Sequence, residues 1–339
     1  MINKVDFDKE SSVFTLSSDG RNIPYYYVPN CRNLWDNLND EDFTVVRLNN
    51  PFLFKEKDYF EVKFDGSEER GGYLFPIALL ESEETNGRAL LSYLFVAFRT
   101  LLKGIDSNMP LTGVLSDSYK DAYILIVHNQ TIPNFDINNY ITSLANWGFY
   151  EYRGEVKSKF PKLDFLNELP KTLQLNKSFV DNSDRKYVND LLKNRLCGAS
   201  DFITRFVLVY QVVELYISEI HSHCLDEAIN KFTNKELTKN DFAEELKKIS
   251  REAYQIEQLF KGYIDEDVCN KFKQESIGLF NDVRYKFKSE AIPSLFYALR
   301  NQVFHNYDIF IGHEDALSQV IFRFEQVVLM LLSKRKIKF

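Results

Sequence analysis

Near the C-terminal end of this chain, Arg300, Asn301 and His305 fall within six residues of one another. Together these side chains suit cleavage of an RNA phosphodiester without a metal ion. Such cleavage needs a base to take the proton from the 2′-hydroxyl, a positive group to stabilise the phosphorane, and an acid to protonate the departing 5′-oxygen. Arg300 offers a fork of N–H donors that matches phosphate oxygens. Histidine is the side chain that ordinarily titrates nearest neutrality, and His305 supplies one. Asn301 can orient the 2′-hydroxyl or the phosphate. Asn301 and His305 are four residues apart, so a helix puts them on one face, and the long stem of Arg300 can swing its guanidinium towards that face. One His serves both ends of an in-line displacement poorly. A second copy from another subunit removes the difficulty.

The spacing alone is a weak signal, because the chain's Arg and its five His give roughly 0.2 chance pairs at one spacing. Three features add weight: Asn directly after Arg, a position at the end of the penultimate helix pattern, and an all-helical C-terminal half. The competing reading is structural. Arg300 would make a surface ion pair, and His305 would sit at a helix C-terminus, where a cation is favoured.

The elements that must hold these residues follow from apolar periodicity. Pro293 fits a first-turn position, and Leu295, Phe296, Leu299, Val303 and Phe304 form one apolar face, which Asn306-Tyr307-Asp308 ends. Before it, Ser200 can cap a long helix with Phe202, Phe206, Val209, Val213, Tyr216 and Ile220 on one stripe. A second helix is expected over 241–260 and shorter ones over 266–287. A last helix is expected over 314–333, with Leu317, Val320, Ile321, Phe324, Val327, Val328 and Leu331 inward.

Residues 1–174 read differently. Strand-like runs at 13–16, 23–28, 43–48, 59–64, 73–80 and 122–128 are separated by turn signals at 18–20, 49–51 and 65–67. Helix patterns cover 87–103 and the stretch from Asn134 to a stop at Gly148. Residues 150–180, with Pro161 and Pro170, read as a connector. The expected fold is an α+β N-terminal domain, 1–174, followed by an all-α helical bundle, 175–339. At 339 residues two domains are the expected case.

The net charge of −7 is uneven. Residues 1–174 carry 18 Lys/Arg against 25 Asp/Glu, and residues 175–339 carry 24 of each. A neutral helical half argues against broad, charge-driven binding to long duplexes but leaves room for a local basic cleft. No apolar run approaches the roughly 18 to 20 residues that span a bilayer. The start lacks a secretory pattern, and four scattered Cys form no CxxC pair. A cytoplasmic protein without membrane association is expected.

Residues 180–335 resemble a HEPN domain, the helical bundle of a ribonuclease superfamily. Its signature is Arg, then usually a polar residue such as Asn, then His four to six residues after the Arg. Arg300, Asn301 and His305 match all three positions. More loosely, the helix carrying Tyr210-Gln211-Val212-Val213-Glu214 is similar to the long early helix of several HEPN groups, including the ApeA-like defence proteins. The resemblance implies a homodimer in which two motifs face each other and form one composite ribonuclease site. It implies cleavage to a 2′,3′-cyclic phosphate with no metal and no cofactor. Arg300 would stabilise the phosphorane, His305 would act as general acid or base, and Asn301 would position substrate. Many such proteins are bacterial toxins or anti-phage abortive-infection effectors, so tRNA or mRNA is the expected substrate. A phage-derived trigger or an antitoxin-like partner is the expected regulator. The resemblance does not reach the N-terminal half, for which a sensing or regulatory role is expected.

Other candidates carry less. A buried Glu214 facing the motif would orient Arg300, whereas a surface Glu214 needs no function. Tyr307 follows the motif closely enough to touch substrate, and serves equally as a core or interface aromatic. His221 and His223 point about 200° apart on a helix, so they face one ion only if the helix has ended. No metal is expected. Gly71-Gly72 lacks the spacing and the Lys of a phosphate-binding loop. The basic run 334–339 reads as a solvated tail able to reach RNA phosphate.

Overall fold

The computed structural model describes residues 4–8, 13–18, 21–25, 39–52, 59–81, 88–103, 115, 119, 122–152, 154, 170–177, 182–199, 201–261 and 266–334. The chain divides into two compact units, Met1–Lys177 and Ser178–Phe339.

Among the described residues the first unit holds two sheets. Strands β1 (Lys4–Asp8), β2 (Val13–Ser18) and β3 (Arg21–Tyr25) form an antiparallel meander. The larger sheet has β4 (Phe43–Asn49), β5 (Phe60–Phe64), β6 (Arg70–Pro76), β7 (Ala122–His128), β8 (Tyr150–Glu151) and β9 (Thr172–Leu175) in the order β8-β4-β7-β6-β5-β9. Every pairing is antiparallel except β5 with β9. Helix α1 (Arg88–Lys103) covers one face, in a core with Tyr73, Phe75, Ile124 and Ile126. The short α2 (Ile141–Asn146) belongs to the opposite core, with Leu74, Tyr123, Leu125 and Val127. Both faces of β7 are therefore buried, which is why its sequence is a continuous apolar run rather than an alternation. Gly72 answers to the same packing: a Cβ there would lie 2.2 Å from the Ile126 carbonyl oxygen on the neighbouring strand.

Several boundaries differ from the sequence expectation. The run 73–80 leaves the sheet at Pro76, which has no N–H for the ladder, and becomes a 3-10 turn at Ile77–Glu81. Strands β8 and β9 lie inside the expected connector, and β1 precedes the first expected strand. Helix α2 is short and ends at Gly148, whose φ of +80° suits glycine after a helix end. Residues 26–28, Gly87 and Pro161 lie outside the described residues, as do Ser200 and 335–339 of the basic tail.

The second unit is helical: α3 (Asn182–Asp190) continuing into a π-turn at Leu191–Arg195, α4 (Phe202–Thr233), α5 (Lys239–Ile249), α6 (Glu252–Leu259), α7 (Glu266–Asp282), α8 (Ile292–His305) and α9 (Glu314–Lys334). The cap of α4 is Asp201, whose carboxylate accepts from the Thr204 N–H at 2.8 Å. The whole expected α4 stripe is buried, and so are all seven residues expected inward on α9. Phe206, Phe272, Phe296 and Phe324 meet at the centre, with Phe296 stacked on Phe324 at 4.3 Å between ring centroids. Helix α9 is long and apolar enough to cross a membrane, but 78% of that stretch is buried inside the unit. It also carries Glu325 inward, in a two-pronged ion pair with the fully buried Arg205 of α4 at 2.7 and 2.9 Å, while Arg205 donates to the Leu196 carbonyl at 2.7 Å.

The expected helix over 241–260 is two helices. Arg251 is extended and caps α6, and the Gln255 amide donates back to the Ile249 carbonyl at 2.8 Å, satisfying the end of α5. The break puts Glu252 in the first turn of α6, where the helix dipole favours a carboxylate.

Candidate active site

Helix α8 is anchored by Leu295, Phe296, Leu299 and Val303, which are all buried. Pro293 lies in its first turn, and Asn306, at φ −144°, ends it. This leaves the last two turns of α8 to bring the motif together. One Arg300 terminal nitrogen, Nη1, donates to Asn301 Oδ1 at 3.0 Å and lies 3.0 Å from His305 Nε2. Arginine has no acceptor, so this contact needs the lone pair of Nε2 and assigns the imidazole proton to Nδ1. His305 is exposed, and the Arg300 side chain keeps 23% of its surface. The three motif residues therefore form one cluster at the surface.

The guanidinium is held from further sides. It lies over the Tyr210 ring of α4 at 5.8 Å and over the Phe304 ring at 5.4 Å, the range in which a cation is attracted to an aromatic face. Glu252 Oε1 is 3.2 Å from Arg300 Nε. The angle makes this a charge contact rather than a hydrogen bond, and Nε–H is buried without a well-aligned acceptor. Glu252 also accepts from the Tyr210 hydroxyl. Burial and the Glu252 carboxylate push the Tyr210 hydroxyl well above the ordinary phenol range, so it stays a donor. Glu252 and Tyr210 thus fix where Arg300 rests.

Two of the expected residues are not among the groups that hold Arg300. Glu214 is exposed on α4, and the carboxylate beside Arg300 is that of Glu252. Four residues earlier on the same helix, the Tyr210 ring lies under the guanidinium and its hydroxyl donates to Glu252. Tyr307 is 41% exposed on the 3-10 turn after α8, with its ring 6.3 Å from Phe310. Phe304, expected on the buried face, is 42% exposed and rests on Phe206 and Tyr210. Reading 241–260 as one helix hid Glu252; the signal for it is an acidic residue opening a new helix just after Ser250.

The chemistry open to this cluster is anion binding by Arg300 and proton transfer by His305. Helix α4 runs on to Thr233, so His221 and His223 stay on different faces, and among the described residues no three His, Cys, Asp or Glu side chains converge as metal ligands do. No family model, curated protein or solved structure matches this chain.

Proposed function

We propose that this protein is a metal-independent endoribonuclease of the HEPN type, acting as a bacterial toxin or anti-phage effector. The observation that carries the reading is the meeting of Arg300, Asn301 and His305 on one surface of α8, with His305 exposed. In the reaction, the Arg300 N–H turns from His305 Nε2 to the phosphate, and the freed Nε2 takes the 2′-hydroxyl proton as O2′ attacks phosphorus. Arg300 stabilises the phosphorane. The bond to O5′ breaks as that oxygen takes a proton, leaving a 2′,3′-cyclic phosphate and a 5′-hydroxyl. A second motif from a symmetric partner supplies the second proton-transfer group. Phe304 within the motif and Tyr307 and Ile311 soon after it in sequence are exposed, the last 70%, and support a second copy as the neighbour of this segment. The substrate class is tRNA or mRNA. The N-terminal unit senses a phage-derived trigger or an antitoxin-like partner.

One observation favours a second reading, a non-catalytic dimeric interaction protein. Glu252 already neutralises part of the Arg300 charge that a phosphate would meet. The two readings part in one experiment. Purified protein is incubated in EDTA with total tRNA and with a single-stranded RNA, beside Arg300→Ala and His305→Ala. The nuclease reading expects cleavage by the wild type and a loss of about 100-fold or more in each variant. Intact RNA with a folded wild-type dimer favours the interaction protein, and equal cleavage by all three places the activity elsewhere.

A further inference from the structure

Beside the motif lies a cavity of about 460 Å³, a size typical of small-ligand sites, between α6, the segment after α7 and the first half of α8. Three aromatic side chains line it, Tyr285, Phe287 and Tyr297, together with Glu257, Lys288 and Asn301. Asn301 is the link to the cluster already described. Its side-chain oxygen is held by Arg300, so what it offers the cavity is its amide N–H groups. Lys288 is exposed at the segment's surface, free to meet a phosphate, and Glu257 is also exposed.

The geometry points to this cavity as the pocket for an unpaired nucleobase next to the scissile phosphate, with a preference for guanine. The proposal rests on the nuclease reading and names what that site selects. Aromatic side chains stack an unstacked base of any kind. A carboxylate only accepts, so Glu257 selects a base edge with donors, and guanine presents N1–H and the 2-amino group side by side. The Asn301 amide and Lys288 donate, which suits guanine O6 and N7 or the adjoining phosphate. A base seated here is one helix residue from Arg300, so its sugar and phosphate reach the Arg300–His305 pair. Duplex RNA keeps its bases stacked and cannot fill the pocket, in keeping with the neutral charge of residues 175–339.

The test uses the full-length protein and a mixed-sequence single-stranded RNA, with cleavage sites read by sequencing and KM and kcat measured separately. Ala291→Trp fills the cavity from an exposed position, and Glu257→Gln removes the charge and replaces one acceptor oxygen with a donor. The expected result is cutting beside guanosine, a KM raised about 10- to 100-fold in Ala291→Trp, and about a 10-fold loss of guanosine preference in Glu257→Gln. Cutting without base preference, at wild-type KM in both variants, overturns the pocket and leaves the nuclease reading intact. A wild type that cuts nothing is either a nuclease awaiting its trigger or the interaction protein, and fluorescence anisotropy with a guanosine-containing octamer then decides the pocket. Weaker binding by Ala291→Trp sustains it, while equal or absent binding overturns it. If Ala291→Trp melts early, Lys288→Glu, at an exposed position, takes its place.

Discussion

At the residue scale, the site is an arginine held by more groups than the motif names. Asn301 and His305 come from the same helix, whereas Tyr210 and Glu252 come from α4 and α6. Tyr210 gives a direct handle on this arrangement. Its hydroxyl is held protonated by burial and by Glu252, so its folded-state pKa lies above its unfolded value. A group shifted this way adds stability that is fully present below the unfolded value of about 10, and loses it as pH rises from there towards the folded value. Wild-type stability is therefore expected to fall more steeply than that of Tyr210→Phe above pH ~10, with the two curves parallel near neutrality. Urea denaturation across that range measures it; parallel curves up to pH ~11 would sink the account. The motif itself was legible in the sequence, because four-residue spacing on a helix fixes a shared face. Glu252 and Tyr210 were not, because contacts between residues 42 and 90 positions apart depend on how helices pack, which periodicity does not encode.

At the element scale, periodicity carried the helical half well. Every residue expected inward on α4 and α9 is buried, because both helices turn one continuous stripe to the same aromatic centre. It failed where a local contact overrode it: Gln255 closes the end of α5 and lets a new helix start at Glu252. In the first unit, β7 is apolar on both faces, so alternation could not reveal its register, and β8 and β9 are too short to stand out from a connector. The pair that ties α4 to α9, Arg205 with Glu325, shows no sequence signature and is wholly buried. Two charges taken out of water hold together only as a pair, so removing one partner strands the other. Arg205→Met or Glu325→Leu is expected to cost about 3–5 kcal/mol of unfolding free energy, and the double variant to recover much of it. Equal losses in the single and double variants would mean that packing, not charge, dominates at this junction.

At the scale of the whole molecule, charge and apolar surface divide the labour between the units. Residues 1–174 carry the entire excess of −7, which repels an RNA backbone, so substrate is expected to be met by the neutral helical unit. In that unit large apolar side chains are exposed within the motif and shortly after it in sequence, at Phe304, Tyr307 and Ile311. Ile311, on the connection between α8 and α9, is 70% exposed and contributes little to the core, so changing it tests the surface without unfolding the protein. If that surface meets a second copy, Ile311→Asp puts a charge on each side of the contact in place of an apolar side chain, and the interface fails through the cost of desolvating it. Sedimentation is then expected to show a wild-type dimer and an Ile311→Asp monomer with an unchanged melting transition. RNA cleavage should fall with the dimer, because one His305 cannot serve both ends of the displacement. A dimer that survives the substitution would move the interface to another face. A monomer that still cleaves would mean that one motif completes the reaction, with the second proton carried by water or by another group of the same chain.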